Sequence, residues 1–216
     1  MKRELILIMV LLSAMSALCQ KPTVCYDLTG ERISEPALQA LEEEARRSGP
    51  KLIIGVRETE DGIEKRLFHR VQEGALPPEV FSRIKAGLRE IEGRELPAEA
   101  IIVLNYYPGK DPCNASGTAT RQDLSISYKN YQKRLKKEGD VRQYNIYRDD
   151  EGLKRYSLGR KWHKDKDGLV EQTFFAYHYP CGSYVVIDPA GNYRSYFGEA
   201  HADQILADVR EMKEKL

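Results

Sequence analysis

The chain has 216 residues, with 34 Lys and Arg against 33 Asp and Glu for a net charge of +1. That balance gives no overall attraction to nucleic acid or to an anionic membrane surface, and 41% hydrophobic with 31% charged residues is ordinary for a globular protein.

The N-terminus reads as a cleavable secretion signal over residues 1–19. Lys2 and Arg3 give a positive start, Leu5 to Leu12 form an apolar run, and Ser13 to Cys19 form a small-residue region. The apolar run is shorter than the roughly 20 residues that a spanning helix needs, and no later stretch approaches that length. The expectation is therefore a secreted or periplasmic protein with no transmembrane segment. Lipid anchoring at Cys19 is not expected, because Leu18 and Ser16 are the wrong residues before it. Cleavage after Cys19 leaves Cys25, Cys113 and Cys181, whereas cleavage after Ser16 keeps Cys19 as a fourth cysteine. The first cut leaves 197 residues, enough for one domain with a sizeable core or two small ones.

Beyond the signal, Glu35 to Arg47 predicts a helix, with Ala37, Leu38, Leu41 and Ala45 on one face and Ser48-Gly49-Pro50 stopping it. Leu52 to Val56, the Asp61-Gly62 turn and Ile63 to Val71 predict a hairpin. Glu79 to Ile91 predicts a second helix after Pro77-Pro78, with Gly93 as its stop. Ala100 to Tyr107 is a near-continuous apolar run, the pattern of a strand buried on both faces. A loop from Pro108 to Thr120 follows. It leads into a helix from about Arg121 with Leu124, Tyr128, Tyr131 and Leu135 on one stripe.

Val141 to Tyr147 predicts a strand, Asp149 to Lys166 is charged and poorly periodic, and Leu169 to Tyr177 predicts another strand. Ser183 to Ile187, the turn Asp188 to Asn192, and Tyr193 to Phe197 form a hairpin closed by Gly198. A helix from about Ala200 to Lys215 ends the chain.

Local chemistry is sparse. Basic residues outnumber acidic ones from Lys129 to Lys166 among several tyrosines, which reads as a solvated face, since export removes the usual nucleic-acid partners. No metal site is expected. His163, Asp165 and Asp167 before Gly168 lack the Asp start and Glu close of a calcium loop, and His69, His178 and His201 are not spaced as ligands. No phosphate loop, dinucleotide fingerprint or serine elbow occurs, so no cofactor is implied. Asn114-Ala115-Ser116 is a glycosylation sequon.

From Ala100 onward the order of strand, helix, strand, irregular segment, strand, hairpin and final helix resembles the thioredoxin-like fold. The segment Tyr184-Val185-Val186-Ile187-Asp188-Pro189-Ala190-Gly191, followed by Gly198 and an amphipathic helix, resembles the closing hairpin of exported thioredoxin-like and peroxiredoxin-like proteins. The resemblance implies an α/β fold with a mixed sheet flanked by helices over residues 100–216, preceded by an N-terminal α+β extension over 20–99. Asp27-Leu28-Thr29-Gly30 suits the opening hairpin that such proteins carry.

In that family a Cys-x-x-Cys follows the first central strand. Here the stretch is Tyr106 to Cys113, with Lys110 where the first cysteine would stand and only Cys113 remaining. The resemblance also brings the loop Tyr179-Pro180-Cys181-Gly182 near Cys113, so Cys113 and Cys181 are the expected disulfide pair. Pro180 or Gly182 would stand at the family's cis-proline position. The implied function is a non-catalytic binding or accessory domain with an unknown protein or small-molecule partner. The alternative is an atypical thiol-disulfide or peroxiredoxin-like enzyme using Cys113, with Cys181 as resolving partner.

Overall fold

A computed structural model describes residues 21–49, 51–110, 120–153 and 160–215. The segment read as a secretion signal, Cys19, Cys113 and the sequon lie outside them. Among the described residues no helix is long and apolar enough to cross a membrane.

The chain opens with β1 (Thr23–Tyr26) and β2 (Arg32–Ile33), joined by a turn in which the Asp27 carboxylate accepts the N–H groups of Thr29 and Glu31. Helix α1 (Glu35–Ser48) starts at Ser34, whose hydroxyl accepts the Ala37 N–H. Strands β3 (Leu52–Glu58) and β4 (Ile63–His69) form the expected hairpin, and β1 pairs parallel with β4. The resulting four-stranded sheet, ordered β2-β1-β4-β3, packs Leu67 and Cys25 against Leu38 of α1.

The hairpin ends earlier than its sequence suggests. Val71 belongs to a separate strand, β5 (Val71–Ala75), which leaves the first sheet and pairs with the far edge of the second. Arg70 is the crossover point, with its N–H bonded to Lys51 and its carbonyl accepting the N–H of Phe197. Helix α2 (Pro78–Glu92) then lays Phe81, Ile84 and Leu88 on the second sheet. Both β5 and α2 lie ahead of residue 100, so the larger core draws on segments from before the resemblance begins.

The second sheet holds β5, β6 (Ile101–Tyr107), β7 (Val141–Tyr147), β8 (Trp162–Lys164), β9 (Ser183–Ile187) and β10 (Asn192–Phe197), ordered β5-β10-β9-β6-β7-β8. Strands β6, β7 and β8 run parallel, while β9 is antiparallel to both β6 and β10. Val103, Leu104, Val185, Val186 and Ile187 are fully buried, as a central pair covered on both faces requires. Helices α3 (Arg121–Leu135) and α5 (Ala202–Glu214) cover one face through Tyr131, Leu135, Leu206 and Val209. Helix α2 and a short helix, α4 (Leu169–Phe174), cover the other.

Helix α4 corrects the strand expected over Leu169 to Tyr177. Asp165 accepts the N–H groups of Val170 and Glu171 at 3.0 and 2.8 Å, which satisfies the first turn, and Val170 and Phe174 fall on one buried helical face. Strand β8 was also hidden, inside a segment too charged and too short to show alternation. The chain thus runs strand, helix, parallel strand, helix, antiparallel hairpin and helix from β6 to α5, with its hairpin beside β6: a thioredoxin-like mixed sheet flanked by helices.

Candidate functional site

The region around Cys181 is held from three sides. In the β6–β9 register Tyr106 faces Ser183, and Gly182, just ahead of β9, lies so close to β6 that an added β-carbon would be 2.9 Å from the Tyr106 carbonyl oxygen. Cys181 itself adopts φ +77°, and Pro180 precedes it, the arrangement of a type II turn with Pro second and a left-handed residue third. The Tyr179–Pro180 bond is trans. The reversal is supplied by the left-handed residues Cys181 and Gly182 (φ +95°), so no cis bond is needed for it.

The small sheet forms the second brace. Val56 and His178 exchange backbone hydrogen bonds of 3.0 and 2.7 Å, Arg57 lies over the Tyr177 ring at 4.8 Å, and the Tyr177 hydroxyl donates to Glu64. Arg70 donates to the Phe197 carbonyl and to the Tyr179 hydroxyl, both at 3.0 Å. Residues 20–99 therefore hold the 177–182 loop, a role that the sequence did not disclose.

Arg148, one residue past β7, is the third. It donates to the Pro108 carbonyl at 2.8 Å and contacts the His178 ring at 3.1 Å, while His178 Nε2 lies 2.7 Å from Glu171 Oε1. One guanidinium thus ties the start of the loop after β6 to the loop before β9. Beneath it, Tyr106 stacks on Phe175 at 4.8 Å, and burial, with Glu171 adding to it, pushes the phenol pKa up.

Cys181 is half-buried and disulfide-bonded, whereas Cys25 is a buried free thiol under α1. Cys113 lies outside the described residues, so its expected pairing with Cys181 is taken up below. Helix α3 begins at Arg121 behind a capping box, in which Thr120 and Asp123 each bond the other's backbone N–H. Lys110 pairs with Glu151 at 3.1 Å. Among the described residues no cluster of His, Cys, Asp and Glu could hold a metal; Asp165 is used instead to start α4.

On the α3–α5 face, at the carboxyl ends of β6 and β7, lies a cavity of about 350 Å³ that reaches Cys181. That end of a parallel arrangement is where ligands of open α/β sheets bind. Its floor is polar. Asn105, Asn145 and Trp162 stand side by side across β6, β7 and β8, and Asn145 links Asn105 at 3.2 Å, Gln143 at 2.7 Å and the Lys161 carbonyl at 3.1 Å. The Tyr128 hydroxyl donates to Gln143 at 3.2 Å. Above the floor, the Arg160 guanidinium covers the Tyr128 ring at 4.3 Å, and Trp162 meets Tyr107 edge-on at 6.0 Å. The sequence places Tyr128 and Tyr131 on a helical stripe and among the tyrosines of a basic segment read as a solvated face, without singling out Arg160 or Trp162. The available signal was a lone tryptophan beside cationic residues in a segment without apolar periodicity.

No family model matches the chain, and no curated protein matches it. Several solved structures align with it, and two of them show the kind of likeness. A secreted disulfide oxidoreductase of Mycobacterium tuberculosis, homologous to E. coli DsbE, is 18% identical over 54% of this chain and 84% of its own, with a TM-score of 0.35. A candidate protein disulfide isomerase of Bacteroides thetaiotaomicron is 15% identical over 54% of this chain and 75% of its own, with a TM-score of 0.36. These likenesses are remote, and the thioredoxin-like character of the fold rests on the order and direction of β6, β7, β9 and β10 with their flanking helices.

Proposed function

We propose that the chain is an exported thioredoxin-like protein without dithiol chemistry, serving as a binding or accessory domain. The observation that carries the reading is Lys110. Where the family's attacking cysteine would stand, the chain has an ammonium group ion-paired to Glu151, and an ammonium cannot open a disulfide. In this reading Cys181 is bonded to Cys113. Support comes from the close approach of Gly182 to the end of β6 and from Arg148, which holds both loops. A disulfide closing so long a loop contributes about 2 to 4 kcal/mol in typical cases, through the entropy of the unfolded chain. Export rests on Lys2, Arg3 and the Leu5 to Leu12 run.

Two measurements test the reading. Mass spectrometry of the protein recovered from a secreting host reads the processing site and the cysteine pairing together; retention of residues 1–16 or a Cys19–Cys181 bond would sink those parts of it. Disulfide-exchange and peroxide-consumption assays on the same material should give no turnover. Robust turnover abolished by Cys113→Ser would overturn the non-catalytic role.

A further inference from the structure

We propose that the cavity between α3, β8 and α5 binds a small organic carboxylate with an apolar body, its carboxylate received by Arg160, Trp162 and Tyr131. This deepens the binding-domain reading and rests on it.

The case begins with unmade hydrogen bonds. Buried polar atoms in folded proteins nearly always have partners, and each exception calls for an explanation. Four of the exceptions belong to residues on the lining of one cavity: the Tyr106 hydroxyl, whose ring packs on Phe175 in the core on the other face of the sheet, and a group formed by the Tyr131 hydroxyl, the Arg160 Nε and the Trp162 Nε1. Tyr131 is only 6% exposed. The Arg and Trp nitrogens can only donate, and the tyrosine hydroxyl can donate too, so what the group lacks is an acceptor. A carboxylate supplies two oxygens and matches the flat donor edge of a guanidinium.

Charge points the same way. Arg160 has no carboxylate partner among the described residues; its close companions are the rings of Tyr128 and Tyr131. Among the described residues of the lining the one acidic side chain, Glu199, is exposed. Burial lowers the Arg160 pKa, as expected for a cation withdrawn from water without a counter-ion. The rest of the lining suits an apolar body, with Ile205 and Leu124 beside the aromatic rings. At about 350 Å³ the space falls at the lower end of the roughly 300 to 1,000 Å³ usual for small-molecule sites.

Trp162 is the only tryptophan in the chain, so its fluorescence reports this cavity alone. The probe is 4-phenylbutyrate, with 4-phenylbutyramide as its neutral counterpart. A saturable change in Trp162 emission is expected with the acid, with the amide weaker by about 10-fold or more, since hydrogen bonds to charged groups contribute roughly 1.5 to 3 kcal/mol. Arg160→Gln should weaken the acid by a similar factor and leave the amide unchanged. Tyr131→Phe, which keeps the ring and the packing, should weaken the acid several-fold. Melting temperatures of both variants identify any failure to fold, and Arg160→Lys replaces Arg160→Gln in that event, with a several-fold weakening of the acid expected, because the charge is kept and the planar donor fork is lost.

No saturable response, equal affinity for acid and amide, or affinities indifferent to these substitutions would overturn the proposal. A peptide ending in phenylalanine with a free carboxylate forms the second arm. Binding tighter than that of the free acid would overturn the small-molecule assignment in favour of a chain terminus. The titration reads no thiol chemistry, so its failure leaves the accessory-domain reading standing, and turnover in the exchange assay would sink that reading without altering the titration.

Discussion

The carbonyl oxygen of Tyr106 lies 2.9 Å from the point where a β-carbon on Gly182 would stand. Glycine is required there twice over, by that approach and by a φ of +95°. Gly182→Ala should therefore destabilise the protein by about 1 to 3 kcal/mol and push the Cys181 turn off the end of β6. Urea denaturation checks the first expectation. Faster reduction of the Cys181 disulfide by dithiothreitol checks the second. Gly87, in the interior of α2, is the control: nothing lies within 4 Å of its missing β-carbon. Gly87→Ala should stabilise by about 0.5 to 1 kcal/mol, because only the helix propensity changes.

Asp208 on α5 is a carboxylate only 2% exposed, placed among the Tyr184 hydroxyl that donates to it, Gln204 Nε2 at 3.0 Å and Arg194 Nε at 3.1 Å. Burial, reinforced by the hydrogen bond to Asp208, pushes the Tyr184 pKa up. Removing one member of such a group strands the others, at a cost of about 3 to 5 kcal/mol for a buried ion pair. Asp208→Ala should fall at the lower end of that range, because it strands the Tyr184 hydroxyl while Arg194 keeps Glu73 and Glu211 as partners. Tyr184→Phe should cost about 1 to 3 kcal/mol, because it deletes one charge-assisted bond and leaves the ion pair. Equal losses in thermal unfolding would contradict this division.

Stability should also depend on acid pH through Glu92. The Tyr144 hydroxyl donates to it at 2.7 Å, and this bond first, with Arg94 second, holds the carboxyl below its ordinary 4.5. A depressed acid pKa means that the contribution is full above the unfolded value and is lost as pH falls through the folded one. Tyr144→Phe should cost about 1.5 to 3 kcal/mol at neutral pH, the range for one bond to a charged group, and less once the solution is well below pH 4.5. A penalty that stays constant across that window would show that the ionised form of Glu92 is not what the bond favours.

What could be read from the sequence followed apolar periodicity. Strands β6 and β9 were legible because Ile101 to Leu104 and Tyr184 to Ile187 are apolar runs covered on both faces, and α2, α3 and α5 because their stripes keep helical spacing. Elements set by tertiary contacts were not. Strand β5, Val71-Gln72-Glu73-Gly74-Ala75, has little to bury and exists because β10 offers an open edge. Helix α4 reads as a strand until Asp165 caps it from outside the segment. The cavity's donors come from α3, β8 and Arg160, which are distant in sequence, and an unsatisfied hydrogen bond is a property of three-dimensional packing.

Cys25 gives a last test, of the small sheet. Its side chain is 3% exposed beneath Leu38, and burial is the main reason that its thiol pKa lies above the ordinary 9.0, with Glu35 adding to the rise and Lys65 opposing it. The thiolate is the species that reacts with disulfide reagents, so both access and ionisation suppress its reaction in the folded protein. Cys25 should label with a thiol-specific chromogenic disulfide only when α1 lifts from β1 and β4, and the rate should rise with mild denaturant ahead of global unfolding if the small sheet opens by itself. Cys25→Ala removes the signal and identifies the site. The sheet clamps the 177–182 loop through Val56 and Arg70. If the opening extends to those strands, conditions that expose Cys25 should also speed reduction of the Cys181 disulfide, and independence of the two rates would confine the opening to α1.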